Sequence, residues 1–297
     1  MQFLSNALFL VMSMFMSLAC AGPWAAFKTP EPPAPPAARD TMKQQITVMS
    51  FNLKMTKTGS KGLPKRLNGV VQTILKEKPD SFGLQEAHAD WRAALLRELG
   101  DTYAIACARG RSTEDAEGAP VFYRKDKYGL VKEETFWISP WPDRVSYGFG
   151  ASFPRVAGYA VLKDKKTGFT YAHFNAHFDH LSGTARTNGA WMVAQGVNEL
   201  GLPAVFTADM NAQPGTQPAQ YLEAGGMTDL RKAAKATDEG VTFHNYGDKL
   251  VGGTVLDYIY ANGYLRGAKE FKVIRDEYDG MYPSDHFAVC ATLTLAN

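Results

Sequence analysis

Cysteine is scarce in this chain of 297 residues: Cys20, Cys107 and Cys290 are the only three, and their spacing builds neither a zinc site nor a disulfide framework. An excess of one charge is also missing. Lys and Arg number 32 against 30 Asp and Glu, a formal net charge of +2, so composition gives no basic field of the kind that holds long nucleic acid regardless of sequence, although a local groove can still be basic. Internal repeats are absent, and the one low-complexity tract is residues 29–38, Thr-Pro-Glu-Pro-Pro-Ala-Pro-Pro-Ala-Ala, which can neither pair in a sheet nor sustain a helix. The longest uncharged, largely apolar run covers residues 3–18, short for a spanning helix.

That run reads as a secretory signal of residues 1–21, followed by a proline-rich linker of residues 22–44 and a domain of residues 45–297. Two processing sites compete. Ala19-Cys20-Ala21 has the small-x-small form of ordinary cleavage, whereas Ser17-Leu18-Ala19-Cys20 resembles a bacterial lipoprotein box. The expected location is secreted or periplasmic, with a lipid anchor at Cys20 as the alternative and no other membrane contact. Cys107 and Cys290 lie in segments of strand-like composition and read as buried small hydrophobes.

What the chain does have is ordinary globular composition, 45% hydrophobic and 21% charged, enough for one large domain. Alternation predicts a strand over residues 45–52, ending at Asn52; helical spacing follows over 67–76 and should stop near Pro79. Residues 81–86 form a short strand ending at Glu86, and residues 91–99 a helix. Strand-like segments follow at 103–108, 121–124 and 130–137, with a charge-mixed loop at 109–118 and an irregular aromatic stretch over 139–154. Residues 169–177 alternate and end at His177; a helix over 185–200 leads to a strand at 204–209 that ends at Asp209, two residues before Asn211. The strand at 254–260 carries Asp257, and Asp285 and His286 precede a final strand at 287–295.

Strand after strand therefore ends in a residue able to bind a hard cation or move a proton: Asn52, Glu86, His177, Asp209, Asn211, Asp257, Asp285 and His286. Any one of these has a plain structural use, such as a turn former or a core histidine. Together they place oxygen ligands and two imidazoles on one rim. An oxygen-rich set without cysteine suits Mg²⁺ or Mn²⁺ better than zinc.

Six short motifs, in order, carry a resemblance: Met49-Ser50-Phe51-Asn52-Leu53, Leu84-Gln85-Glu86, Asn175-Ala176-His177-Phe178-Asp179-His180, Thr207-Ala208-Asp209-Met210-Asn211-Ala212, Leu256-Asp257-Tyr258-Ile259 and Pro283-Ser284-Asp285-His286. The chain resembles the endonuclease/exonuclease/phosphatase superfamily, which includes deoxyribonuclease I. Flanking pieces such as Thr242-Phe243-His244 look closest to its exported bacterial members of unassigned substrate. The fourth motif departs by having alanine for the first glycine of a Gly-Asp-Phe-Asn box.

The resemblance implies a four-layer α/β sandwich, two mixed β-sheets face to face with helices outside, and a site at one end of the sheets. It implies that Glu86, supported by Asn52 and Asp285, binds Mg²⁺. Asp209 would orient the attacking water and Asn211 would hydrogen-bond a phosphate oxygen. His286, aligned by Asp257, would touch the phosphate or act as general base, and His177 would stabilise the phosphate or protonate the leaving group. Arg186 is a candidate phosphate clamp, or else an arginine anchoring its own helix.

The expected function is an exported Mg²⁺-dependent phosphoesterase that hydrolyses phosphodiesters, nucleic acid leading as substrate, acting as a monomer without a protein partner. Because the acidic Glu114-Asp115-Ala116-Glu117 stretch would repel a polyanion if it bordered the site, a small phosphorylated metabolite or phospholipid head group is the alternative. A non-catalytic binding module is a third reading, opposed by the complete set of catalytic positions.

Overall fold

A computed structural model describes residues 45–263, 265 and 268–294. The expected signal, the linker, Cys20 and Leu295 lie outside the described residues. In chain order the elements are β1 (Gln45–Asn52), α1 (Leu63–Glu77), β2 (Ser81–Gln85), α2 (Ala89–Leu99), β3 (Tyr103–Ala106), β4 (Val121–Arg124), β5 (Tyr128–Trp137), β6 (Val156–Asp164), β7 (Thr170–His177), α3 (Gly183–Leu200), β8 (Ala204–Asp209), α4 (Gln217–Ala224), β9 (Met227–Asp229), α5 (Leu230–Ala233), β10 (Ala236–Thr237), β11 (Asp257–Asn262), β12 (Ala268–Ile274) and β13 (Ala288–Thr294).

Two mixed sheets result, ordered β10-β12-β13-β1-β2-β4-β3 and β5-β6-β7-β8-β11-β9. Each has a parallel pair near its middle, β1 with β2 and β7 with β8, and parallel neighbours need a crossover, supplied by α1 and α3. Burial falls into three layers. Ile46, Val48, Val205, Ile259 and Val289 pack in one cluster from both sheets. Val70, Ile74, Trp91 and Leu95 cover one outer face against Met49, Phe51 and Leu84. Val193, Val197 and Leu222 cover the other against Phe174 and Phe206. This is the four-layer sandwich the motifs imply.

Several boundaries move for local reasons. Helix α1 begins four residues before the expected start because Pro64 fits the first turn, where its missing N–H costs nothing. It ends where Lys78 turns left-handed and donates its N–H to Ile74 O, just before Pro79. Strand β3 stops at Ala106 because Cys107 has φ 56°. The stretch 139–154 contains no regular element, as expected. Cys107 and Cys290 are both free and buried.

Polar side chains also cross between the sheets. Ser81 Oγ bonds Tyr171 OH and His173 Nδ1, His173 Nε2 meets Thr207 Oγ1, and Thr207 and Gln85 donate to Asn175 Oδ1. Gly83 makes that approach feasible: a Cβ there would lie 2.1 Å from Thr207 Oγ1 and 2.4 Å from Asn175 Oδ1. Because a misaligned sheet would strand these buried groups, the seam fixes how β2, β7 and β8 sit over one another and hence where their ends converge.

Candidate active site

The parallel strands β1, β2, β7 and β8 deliver Asn52, Glu86, His177 and Asp209 at the same end of the sandwich. Just past three of these strands the chain turns sharply through left-handed backbone at non-glycine residues, with φ 53° at Lys54, 54° at Glu86 and 47° at Asn211. Such residues cost on the order of 1–2 kcal/mol each and persist only where surrounding contacts hold them. Here the contacts are on the site side. Glu86 N donates to Glu117 Oε1 at 3.1 Å, Lys54 N to Asn52 Oδ1 at 2.9 Å and Asn211 N to Asp209 Oδ1 at 2.9 Å.

Asp209 is the centre. Its Oδ2 accepts from Asn52 Nδ2 at 2.8 Å and lies 3.5 Å from His177 Nε2 and 3.8 Å from His286 Nε2. Each imidazole is backed by a buried acid on its other nitrogen. His286 Nδ1 is 2.8 Å from Asp257 Oδ2, and His177 Nδ1 bonds Glu117 Oε1. Burial opposes the charge on His286, but Asp257 and Asp209 outweigh it and push the imidazole up to about 10. For His177 burial and Arg155 work downward, Glu117 and Asp209 work upward, and the net direction is up. Asn211 Nδ2, pinned to Phe178 O at 3.0 Å, also lies 3.0 Å from His177 Nε2. An amide NH₂ can only donate, so in this arrangement Nε2 offers a lone pair and the proton sits on Nδ1.

The loops around His286 are tied from several directions. Ser284 Oγ donates to Asn52 O, linking the last motif to the first. Thr242 Oγ1 accepts the N–H groups of Leu256 and Asp257, Phe243 packs 5.0 Å from the His286 ring, and His244 N donates to Asp285 O. Arg66, buried on the apolar stripe of α1, donates to Leu53 O, Lys54 O, Lys61 O and Pro283 O. One guanidinium thereby holds both ends of the site together.

The remaining acids suit a hard cation. Glu86 is partly exposed, with Oε1 3.3 Å from Asn52 Nδ2 and Oε2 2.8 Å from Met55 N. Asp285 Oδ2 pairs with Lys54 Nζ at 3.2 Å. Burial lowers the pKa of that ammonium, but Asp285, Glu86 and Asp209 raise it overall, which shows how much negative charge converges there. The carboxylate oxygens of Glu86 and Asp285 therefore suit Mg²⁺ or Mn²⁺, with Asn52 in support: its amide N–H faces Glu86 Oε1 and its Oδ1 takes the Lys54 N–H. Asp209, Asp257 and His286 also come within 4.8 Å of one another. There His286 Nδ1 is already taken by Asp257, so that trio is the better proton relay and the Glu86 side the better cation seat.

Arg186 Nη1 donates to Asp179 O at 2.9 Å, a contact of the helix-anchoring kind. Glu117, Arg155, Arg111, Lys54 and Arg66 were not singled out from sequence. Glu117 looked like part of an acidic surface stretch, yet its carboxylate turns inward. Burial works against its charge, but His177, Arg155 and Arg111 hold it well below the usual carboxylate range. Arg155 immediately precedes β6, a strand whose sequence signal is its Val, Ala and Tyr content. Arg66 could have been found as the one charge in line with Val70 and Ile74 on the buried face of a helix.

Comparison with known proteins adds the following. The sequence description "Endonuclease/Exonuclease/phosphatase family" matches residues 49–286. A solved structure of an endonuclease/exonuclease/phosphatase family protein from Bacteroides thetaiotaomicron superposes with a TM-score of 0.80 at 29% identity, covering 86% of this chain and 99% of that one. A mannosyl-6-phosphatase from the same organism gives 0.77 at 28% identity, covering 84% and 99%. Among curated proteins, CCR4-NOT transcription complex subunit 6-like-B of Xenopus laevis is 24% identical over 283 residues, 76% of this chain; the chain spans about half of that relative, 52%.

Proposed function

The chain belongs to the endonuclease/exonuclease/phosphatase family and is a hydrolase of phosphoric ester bonds; from that premise we propose that it is an Mg²⁺-dependent enzyme, with Mn²⁺ as a substitute, acting outside the cytoplasm on a small phosphorylated molecule. The observation that carries the chemistry is Asp209, within 3.5 and 3.8 Å of two imidazole Nε2 atoms that are each backed by a buried acid. Export is supported by the uncharged residues 3–18, with a lipid anchor at Cys20 as the alternative.

Glu86, Asn52 and Asp285 would hold the cation, which when bound supplies positive charge against the phosphate and the departing oxygen. Asp209 accepts a proton from the attacking water and aims it at phosphorus. With Asp257 and Asp209 pushing its imidazole up to about 10, His286 serves as a fixed positive charge on a non-bridging oxygen rather than as a base. One N–H of the Asn211 amide is anchored by Phe178 O; the other, given to His177 Nε2 in this arrangement, turns to a phosphate oxygen once Nε2 takes up a proton. The bond from phosphorus to the ester oxygen breaks, and that oxygen leaves with a proton delivered through His177.

Two features support a small substrate: the neighbour named for a sugar phosphatase, and the exposed carboxylates of Glu114 and Asp115 in the loop that carries Glu117. A second reading, a phosphodiester of nucleic acid, is supported by the six motifs resembling those of deoxyribonuclease I. The test compares bis-p-nitrophenyl phosphate, hexose 6-phosphates, single-stranded DNA, RNA and supercoiled plasmid, with Mg²⁺, with Mn²⁺ and with chelator, alongside Glu86→Ala. Metal-dependent turnover lost in Glu86→Ala upholds the hydrolase mechanism, and the substrate turned over decides between the two readings. If chelator leaves turnover intact, the metal assignment is wrong.

A further inference from the structure

Next to the Glu117–His177 pair lies a shelf that none of these catalytic roles uses. Arg111 is partly buried, and its Nη1 makes one ionic contact, 3.3 Å to Glu117 Oε2. Its guanidinium lies 4.4 Å over the ring of Phe153, and among the described residues no acceptor takes a hydrogen bond from it. Phe153 is 42% exposed and is stacked at 6.0 Å with His180. His180 Nδ1 faces Arg155 Nη2 at 3.2 Å; since a guanidinium only donates, Nδ1 accepts and Nε2 is left as the ring's outward N–H. Tyr147 and Leu181, both well exposed, extend the apolar surface.

The shelf is held in place. Ser152 N and Oγ both donate to Asp179 Oδ2, and Ser182 Oγ donates to Phe149 O. The nearest carboxylates are consumed within the protein. Asp179 Oδ1 accepts from the N–H groups of Leu181 and Ser182, and Glu117 is shared by His177, Glu86 N, Arg111 and Arg155. What faces outward is therefore an apolar ring flanked by N–H donors, and neither of the carboxylates bound into the shelf, Asp179 nor Glu117, is free to accept. A nucleobase needs acceptors for its own amino and ring N–H groups. A sugar phosphate presents the complement, C–H faces on a ring surrounded by acceptor oxygens.

We propose that Arg111, Phe153 and His180 form the leaving-group subsite and that it takes the ring of a monosaccharide phosphate. The inference rests on the phosphoesterase reading and adds its substrate class. Water oxygen bonds to phosphorus and the bond from phosphorus to the sugar oxygen breaks. The sugar oxygen keeps the electron pair and gains a proton, releasing free sugar and inorganic phosphate.

The experiment measures kcat and KM of the full chain with Mg²⁺ on mannose 6-phosphate, glucose 6-phosphate, methyl phosphate and bis-p-nitrophenyl phosphate, for the unmodified protein, Phe153→Ala and Arg111→Gln. The unmodified protein should prefer at least one hexose phosphate over methyl phosphate by about 10²-fold in kcat/KM. Phe153→Ala should lose about tenfold on that sugar, mainly in KM, and stay within about twofold on methyl phosphate. Arg111→Gln should likewise lose more on the sugar than on methyl phosphate. Equal losses on both substrates, or no loss on the sugar, overturn the subsite while leaving a working phosphoesterase. Turnover of bis-p-nitrophenyl phosphate without any sugar phosphate does the same. If none of the four is hydrolysed, the phosphoesterase reading fails and the subsite falls with it.

Discussion

Asp257–His286 and Glu117–His177 are both buried acid–imidazole pairs with Nε2 facing Asp209, yet only the second has guanidinium groups against its acid. Among the described residues no guanidinium forms an ion pair with Asp257, although Arg231 feels its charge, so Asp257 acts chiefly on His286 and, with Asp209, the imidazole rises to about 10. Arg155 and Arg111 share Glu117, Arg155 acts directly against a proton on His177, and Asn211 offers a donor to its Nε2. The same two functional groups thus give a fixed cation on one side of Asp209 and a ring able to gain and lose a proton on the other. His173 completes the contrast. It is equally buried but has no acid partner, and burial alone lowers it to about 3.

Removing the atom both pairs share should have the largest effect. Asp209→Asn is expected to lower kcat about 10⁴-fold, with circular dichroism unchanged. Breaking one pair comes next. His286→Ala should lose about 10²- to 10³-fold, the scale of a removed transition-state charge, and a loss of only a few-fold would remove His286 from the mechanism. Glu117→Gln should cost about tenfold and move the alkaline limb of the pH–rate profile to lower pH, because His177 loses the acid that holds its proton. A limb that stays in place under this substitution would assign the proton carrier elsewhere.

The smallest effect is on stability. The folded pKa of His173 is below its unfolded value near 6.5, so its contribution is complete above pH 6.5 and is lost as pH falls toward 3. His286 has the opposite sign: its contribution is complete below 6.5 and is lost as pH rises through about 10. Thermal melts of His173→Gln should show a shallower fall in Tm between pH 6.5 and 4 than the unmodified protein, and an unchanged slope would show that other groups govern acid unfolding.

The strand-end groups were legible because a period of two makes a strand's last residue easy to locate: Asn52, His177 and Asp209 each close a strand at the expected position. Glu117 and Arg155 were not, for a physical reason. Their partners are each other, Arg111 and His177, brought together only when two sheets stack, and no local pattern marks a charge that will be neutralised from 38 residues away. The polar seam was hidden in the same way. Ser81, His173 and Thr207 lie in strands whose alternation reads as core; the Ser81–His173 bond runs between the sheets and the His173–Thr207 bond between neighbouring strands of one. Strands β9, β10 and β12 lack a sharp alternating signal, and β10 is only two residues long.

Strand β13 sits in the middle of its sheet, with β1 on one side and β12 on the other, and pairs Thr294 with Gln45. During synthesis the first strand must therefore wait for the last, with one edge bare until about 240 further residues have emerged. Arg66 waits as well, since one of its acceptors is Pro283 O. A chain cut before residue 285 would lack Asp285, His286 and the strand that closes the sheet all at once, so the candidate site assembles only in the event that completes the fold.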